Sequence, residues 1–185
     1  MNISLPKAAS LFLSKFPGLL KVSRLCRPSS PRYTIRAVDA DRDLEALAAL
    51  GTALSGGRPE ALRESFRLEF TEQDPRRWFF LVAVKEGRQE QVLGFVRAMR
   101  QGPEQDWWIA GLGVKPLYRR WGIGEALTRA ALARLQEAGA VEVRLGVNRA
   151  SRPAVTLYRK LGFVEESQPT GQAEGDGSVR MIKNL

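Results

Sequence analysis

The segment that most constrains this chain is residues 112–127, LGVKPLYRRWGIGEAL. An apolar strand-like run ends at Val114, a short loop carries Pro116, and Arg119, Arg120, Gly122 and Gly124 gather at the start of a long helix. That helix is read over 122–138 from Ile123, Leu127, Ala131 and Leu135, which recur every four residues until Gly139 stops it. The first N–H groups of such a helix lack intrahelical acceptors and point out of its end. Glycines at 122 and 124 keep Cβ atoms away from that end, and Arg119 and Arg120 add charge-assisted donors. Together they make an anion cradle suited to a phosphate or pyrophosphate. A plain helix cap beside a solvated arginine pair would use the same residues, so this segment alone leaves both readings open. No GK[ST] follows, and Gly111 and Gly113 do not complete a GxGxxG pattern, so neither nucleotide loop fits.

The rest of the chain supplies layers around that junction. Strands are read at 33–38, 78–84, 91–99, 107–114, 141–147, 163–167 and 178–183. The polar stretch Asp39 to Asp43 caps a helix running to about Leu54. Pro59 opens a second helix to about Glu69, with Leu62, Phe66 and Phe70 at spacing four. A short helix from Arg152 to Leu161, capped by Ser151 and stopped by Gly162, precedes a glycine-rich loop at 171–177. The order of strand, two helices, three strands, helix, strand, helix and two strands is a mixed α/β layer arrangement, not a regular βαβ unit.

Strand 107–114 places Trp107, Ile109, Gly111 and Gly113 on one face and Trp108, Ala110, Leu112 and Val114 on the other. Two glycines within one strand point to a bulge or to close approach by another group. If strand 141–147 runs parallel beside it and separates locally, the exposed edge would pair with an extended, amide-rich ligand. Coenzyme A joins two amides to a pyrophosphate and satisfies both features. In SRPAVTLYRKLGF, residues 151–163, Ala154, Leu157, Tyr158 and Leu161 share one helical face. Tyr158 is then a core aromatic or, in a cleft, a proton donor to a departing thiolate.

These residues resemble the GCN5-related N-acetyltransferase superfamily. VKPLYRRWGIG, then a helix, a strand and AVTLYRKLGF, matches its element order over residues 33–185, most sharply over 112–163. Arg119, Gly122 and Gly124 meet its [RQ]xxGx[GA] pattern. The resemblance implies an α/β fold with a mixed, mostly antiparallel central sheet, helices on both faces, and an opening between the fourth and fifth strands. It implies acetyl-CoA as cosubstrate, no metal, and direct attack by a primary amine in a ternary complex. Cofactor contacts are implied at Leu112, Gly113, Val114, Arg119, Arg120, Trp121, Gly122, Ile123, Gly124, Asn148 and Ser151, with Tyr158 as general acid. Two departures stand out. Ser151 lies where many relatives have asparagine, and Trp108 lies where many have a strand glutamate. Asp106, Glu104, Glu69 and Glu72 are the substitutes considered for that carboxylate. Loops near 72–77, 101–106 and 170–177, with Trp78, Trp107, Trp108, Glu174 and Asp176, would frame the acceptor cleft. Without the strand glutamate, a non-catalytic CoA-binding or interaction module on the same fold is the alternative.

Composition removes other chemistry. The 185 residues contain no histidine and one cysteine, Cys26, which excludes histidine triads, cysteine-rich metal sites and intrachain disulfides. No apolar run approaches the ~18 residues needed to span a bilayer. The net charge is +9, but residues 1–32 carry six basic and no acidic residues, leaving +3 for 33–185. A nucleic-acid binder acting through this tail is therefore the weakest reading, and no specific nucleic acid is expected. Leu5, Ala9, Phe12, Phe16 and Leu19 make residues 1–32 a basic amphipathic or flexible extension, followed by a Pro/Ser linker. Its acid-free composition also suits an organelle transit peptide, the alternative to a cytoplasmic location; Lys15 and Pro17 interrupt any secretory core. The amine acceptor, peptide or small molecule, and a homodimer through a sheet or helix edge stay open.

Overall fold

The computed structural model describes residues 31–72, 74, 76–87, 90–101, 106–166 and 177–185. The chain divides at Pro31/Arg32, and all described secondary structure belongs to Arg32–Leu185. The amphipathic pattern and linker of the first 30 residues, Cys26 among them, lie outside the described residues. So do Glu104, Glu174 and Asp176.

The elements are β1 (Tyr33–Ala37), α1 (Ala40–Ser55), α2 (Pro59–Glu72), β2 (Trp78–Lys85), β3 (Gln91–Gln101), β4 (Asp106–Val114), a 3₁₀ turn (Pro116–Tyr118), α3 (Ile123–Glu137), β5 (Glu142–Asn148), α4 (Arg152–Lys160), β6 (Val164–Glu165) and β7 (Ser178–Asn184). They follow the sequence expectations within a few residues at each end. Asp39 caps α1 by accepting from the Arg42 N–H, and Gly56 ends it with φ 67°. Gly139 and Gly162 follow α3 and α4 with φ of 76° and 88°. The expected Ser151 cap is not made: Ser151 occupies the N-cap position of α4, but its side chain forms no cap bond.

Seven strands form one sheet in the order β1-β2-β3-β4-β5-β7-β6. Every neighbouring pair is antiparallel except β4 and β5, which are parallel. Strand β2 is buried on both faces because helices cover both sides. Phe79, Leu81 and Ala83 pack with α3 residues Ile123, Leu127, Ala131 and Leu135. The alternate residues Phe80, Val82 and Val84 pack with Leu47 and Leu50 of α1 and Phe66 and Phe70 of α2. The β5–β7 half is buried on the α3–α4 face through Val143, Leu145, Val147, Val179 and Met181. On the α1–α2 face it presents Glu142, Arg144, Gly146 and Arg180, which belong to neither core. No helix among the described residues is long and apolar enough to cross a membrane.

Candidate functional site

The sheet opens where the sequence suggested. Strands β4 and β5 pair only at Trp107/Val143, Trp108/Arg144 and Ile109/Leu145. Beyond that point β4 continues to Val114 and β5 to Asn148 with no pairing between them. The register of β3 against β4 slips between Arg97 and Ala98, leaving Ala110 as an extra residue. This bulge corrects the facial assignment of β4. Trp107 and Ile109 face the α3 core, but after Ala110 it is Leu112 and Val114 that lie there. Gly111 and Gly113 instead lie against Phe95 on the α1 side. One inserted residue inverts the period-two alternation.

Backbone direction follows from the ladder. Lys115 donates its N–H to the Leu93 carbonyl at 2.8 Å. Only alternate residues of an antiparallel strand bond to a given neighbour. Gly113 and Gly111 therefore face β3, and the N–H and C=O groups of Leu112 and Val114 turn toward the gap. Arg119 Nε meets the Val114 carbonyl at 3.1 Å, as that direction requires.

The loop from Lys115 to Gly122 delivers the helix end into the same gap. Arg120 has φ 66°, the only positive value at a non-glycine among the described residues, and Gly122 has φ 77°. Left-handed residues alternating with a residue of negative φ, as Arg120 and Gly122 do around Trp121, turn successive N–H groups to one side as an anion-binding concavity. The N-cap Gly122 offers no side-chain cap to α3. Among the described residues, the N–H groups of Arg120, Trp121, Gly122, Ile123, Gly124 and Glu125 find no acceptor. Gly122 is exposed, and a Cβ there would meet nothing within 4 Å. At Gly124 a Cβ would meet Leu157, Val114 and Leu112 at 3.7–3.8 Å, ordinary contact, so packing does not demand glycine there. At Gly113 packing does demand it: a Cβ would stand 2.8 Å from Phe95 Cε1 and 3.0 Å from Leu54 Cδ1. That glycine makes room for the Phe95 ring.

Helix α4 closes the gap on the β5 side. Tyr158 is 6% exposed, its ring edge-on to Phe163 at 5.7 Å. Burial pushes its hydroxyl up to about 12, so it stays protonated. The hydroxyl has no protein partner among the described residues, yet it is not among the fully enclosed unpaired atoms. Asn148 and Ser151 form the turn entering α4. Asn148 Oδ1 accepts from the Ala150 N–H at 2.8 Å, and the Asn148 carbonyl accepts from the Ser151 N–H at 2.9 Å. The fold thus gathers Leu112, Val114, Arg119, Arg120, Trp121, Gly122, Ile123 and Gly124 at one end of the gap, with Asn148, Ser151 and α4 following β5.

Of the candidate bases, Asp106 and Glu69 are engaged, while the Glu72 side chain, like Glu104, lies outside the described residues. Asp106 pairs with Arg144 at the opposite end of β4, and Arg144 also holds Glu142 and Glu166. Glu69 accepts from Arg97 at 2.5 Å. Trp107 is buried in the core and Trp78 packs on Phe70 and Phe80. Trp108 remains half-buried on the open α1–α2 face, with Arg180 over its ring at 5.7 Å.

The model of the acetyltransferase (GNAT) family matches residues 45–163, well over half of the chain. The chain belongs to the GNAT family. It is 32% identical to a mycothiol acetyltransferase of Saccharomonospora viridis over 155 residues, 76% of this chain and 49% of that protein. This GNAT chain therefore spans about half the length of the curated relatives of that kind. An N-alpha-acetyltransferase of Sulfurisphaera tokodaii is 43% identical over 58 residues, 31% of this chain and 35% of that one. The fold matches that of the PaiA N-acetyltransferase from Thermoplasma acidophilum solved with coenzyme A. The TM-score is 0.64 at 21% identity, covering 83% of this chain and 99% of that one.

Sequence reasoning missed one feature of this GNAT site. Glu125, in the first turn of α3, is bonded by Lys160 of α4 at 2.6 Å and by Arg129 at 2.9 Å. Lys160, then Arg129, holds its carboxyl below the ordinary range. The spacing Glu125–Arg129 was legible as an i, i+4 pair; the Lys160 partner, 35 residues on, was not.

Proposed function

We propose that this protein transfers an acetyl group from acetyl-CoA to a primary amine. The observation that carries this reading is the coincidence of two backbone surfaces with no backbone partner, of which only the Val114 carbonyl is taken, by Arg119. One is the β4 edge beyond Ile109, and the other is the N–H set of residues 120–125. The pantetheine arm pairs with the Leu112 and Val114 edge, and the pyrophosphate sits on the α3 end with Arg119 and Arg120 at its rim. The amine attacks the thioester carbonyl, whose developing oxyanion is met by β4 N–H groups. The C–N bond forms as the C–S bond breaks, the surplus proton of the nitrogen passes to solvent or to the departing sulfur, and the developing thiolate accepts a hydrogen bond from Tyr158. Holding both substrates together removes the entropic cost of their encounter, and no covalent enzyme intermediate is needed.

The acceptor follows from the missing strand carboxylate. Trp108 replaces it, and Asp106 and Glu69 are bound to arginines. With no free carboxylate among the described candidate bases, the amine must already be neutral to a useful degree. At pH 7.4 an α-amine of pKa near 8 is about one-fifth neutral, whereas a lysine side chain is neutral at about one part in a thousand. The favoured acceptor is an α-amine or another amine of similarly low pKa. Residues 1–32 lie outside the catalytic unit in this reading.

The test is acetyl-CoA-dependent release of free thiol with a panel of amines. It includes a peptide with a free N-terminus, the same peptide N-acetylated with a free lysine, and small α-amines. Turnover is expected with the α-amines, and it should survive removal of residues 1–30. Tight CoA binding without turnover on any amine would instead support the non-catalytic module, which the missing strand carboxylate favours.

A further inference from the structure

The proposed cofactor cradle has a competitor in its own helix. Gly122 is the N-cap of α3, which puts Glu125 at the third helical position. Behind a Ser or Thr cap a glutamate there reaches back to the N-cap N–H; behind Gly122 the first-turn N–H groups have no side-chain cap of their own and draw the same carboxylate. In this chain that would lay a carboxylate across the donors meant for a phosphate. Glu125 points elsewhere. Its Oε1 accepts from Arg129 at 3.1 and 2.9 Å, and its Oε2 meets Lys160 Nζ at 2.6 Å. The Gly122 N–H stays without an acceptor among the described residues. Arg129 lies one turn on in the same helix, whereas Lys160 comes from α4, two residues after Tyr158. An exposed ion pair biases a side chain by up to about fivefold. A side-chain cap is worth about the same. Two pairs on one carboxylate outweigh one cap, and a single pair leaves the competition nearly even.

We propose that Lys160, acting with Arg129, is a positioning residue that holds Glu125 out of the cradle and keeps the α3 end open for the pyrophosphate. This rests on the cofactor reading above. The same closure follows from any modification that removes the Lys160 charge.

The experiment is calorimetric titration of the full-length protein with CoA and, separately, with pantetheine, which lacks the pyrophosphate. Lys160→Met should weaken CoA binding about twofold, because about half of the molecules then carry the closed end, and should leave pantetheine binding unchanged. Lys160→Arg should restore wild-type affinity. In the Glu125→Ala background, Lys160→Met should have no further effect. Should Lys160→Met fail to fold, Lys160→Gln takes its place in the same cycle. Equal CoA affinity in wild type and Lys160→Met overturns the proposal. A loss that persists in the Glu125→Ala background also overturns it, because Lys160 would then touch the ligand itself. A wild-type protein that binds no CoA removes the cofactor reading and this proposal with it.

Discussion

Replacing Tyr158 by phenylalanine separates chemistry from packing in this site. The ring stays edge-on to Phe163, and the deleted hydroxyl has no protein partner among the described residues. Stability should therefore change by less than about 1 kcal/mol, since no buried partner is left unpaired. The effect on rate can be bounded. A hydroxyl pushed up to about 12 is a weak acid. An ordinary thiol titrates near 8.5, so complete proton transfer from Tyr158 to the thiolate runs uphill by about 5 kcal/mol. The contribution is then a hydrogen bond to a developing charge, worth about 1.5–3 kcal/mol, or about 10- to 150-fold in kcat. The hydroxyl favours its neutral form in the folded chain, so it does not ionise until pH passes well above 10. The pH–rate profile should accordingly show no Tyr158 limb below about pH 11, and the variant should keep the wild-type shape at lower height. Steady-state kinetics, CoA titration and thermal unfolding on the same preparations check this. A kcat within twofold of wild type, or a rate loss matched by lost CoA affinity and lost stability, would refute the assignment.

Two further outcomes concern the scaffold. Gly113→Ala should cost about 1–3 kcal/mol in urea unfolding through its clashes with Phe95 and Leu54. Gly146→Ala, where a Cβ meets nothing within 4 Å, should be neutral or slightly stabilising. Asp43 is 2% exposed and accepts from both Arg36 terminal nitrogens, at 2.7 and 3.1 Å, and from the Asp39 N–H at 2.8 Å. Asp43→Ala leaves Arg36 only the exposed Glu90 carboxylate and the Ala37 carbonyl and unpairs the Asp39 N–H, and should cost about 1.5–3 kcal/mol by the same measurement.

Much of the fold was legible because its signals are local. Ile123, Leu127, Ala131 and Leu135 mark α3 by period, Gly139 and Gly162 mark helix ends by backbone freedom, and the alternating cores of β2 follow from an unbroken apolar run. The uncapped start of α3 was legible for the same reason, since a helix end and its glycines are contiguous in sequence. What escaped depends on distant partners. The glycines of β4 hinted at a bulge but did not place it at Ala110, so the faces of Gly111, Leu112, Gly113 and Val114 were inverted. The packing need for glycine at 113 escaped because Phe95, its tight neighbour, lies on another strand. Ser151 has the chemistry of a cap, but its side chain makes no cap bond at the turn that Asn148 closes. The engagement of Asp106 and Glu69 by arginines required the register of β4 on β5 and of α2 on β3.

In the proposed complex one ligand bridges the open edge of β4 and the bare N-terminus of α3. Backbone amide shifts in the full chain, followed by NMR while CoA is added, test it directly. Saturable shifts of Leu112, Val114, Gly122, Ile123 and Gly124 are expected, with pantetheine moving only the first two. CoA binding that leaves the Gly122–Gly124 amides unmoved would contradict it.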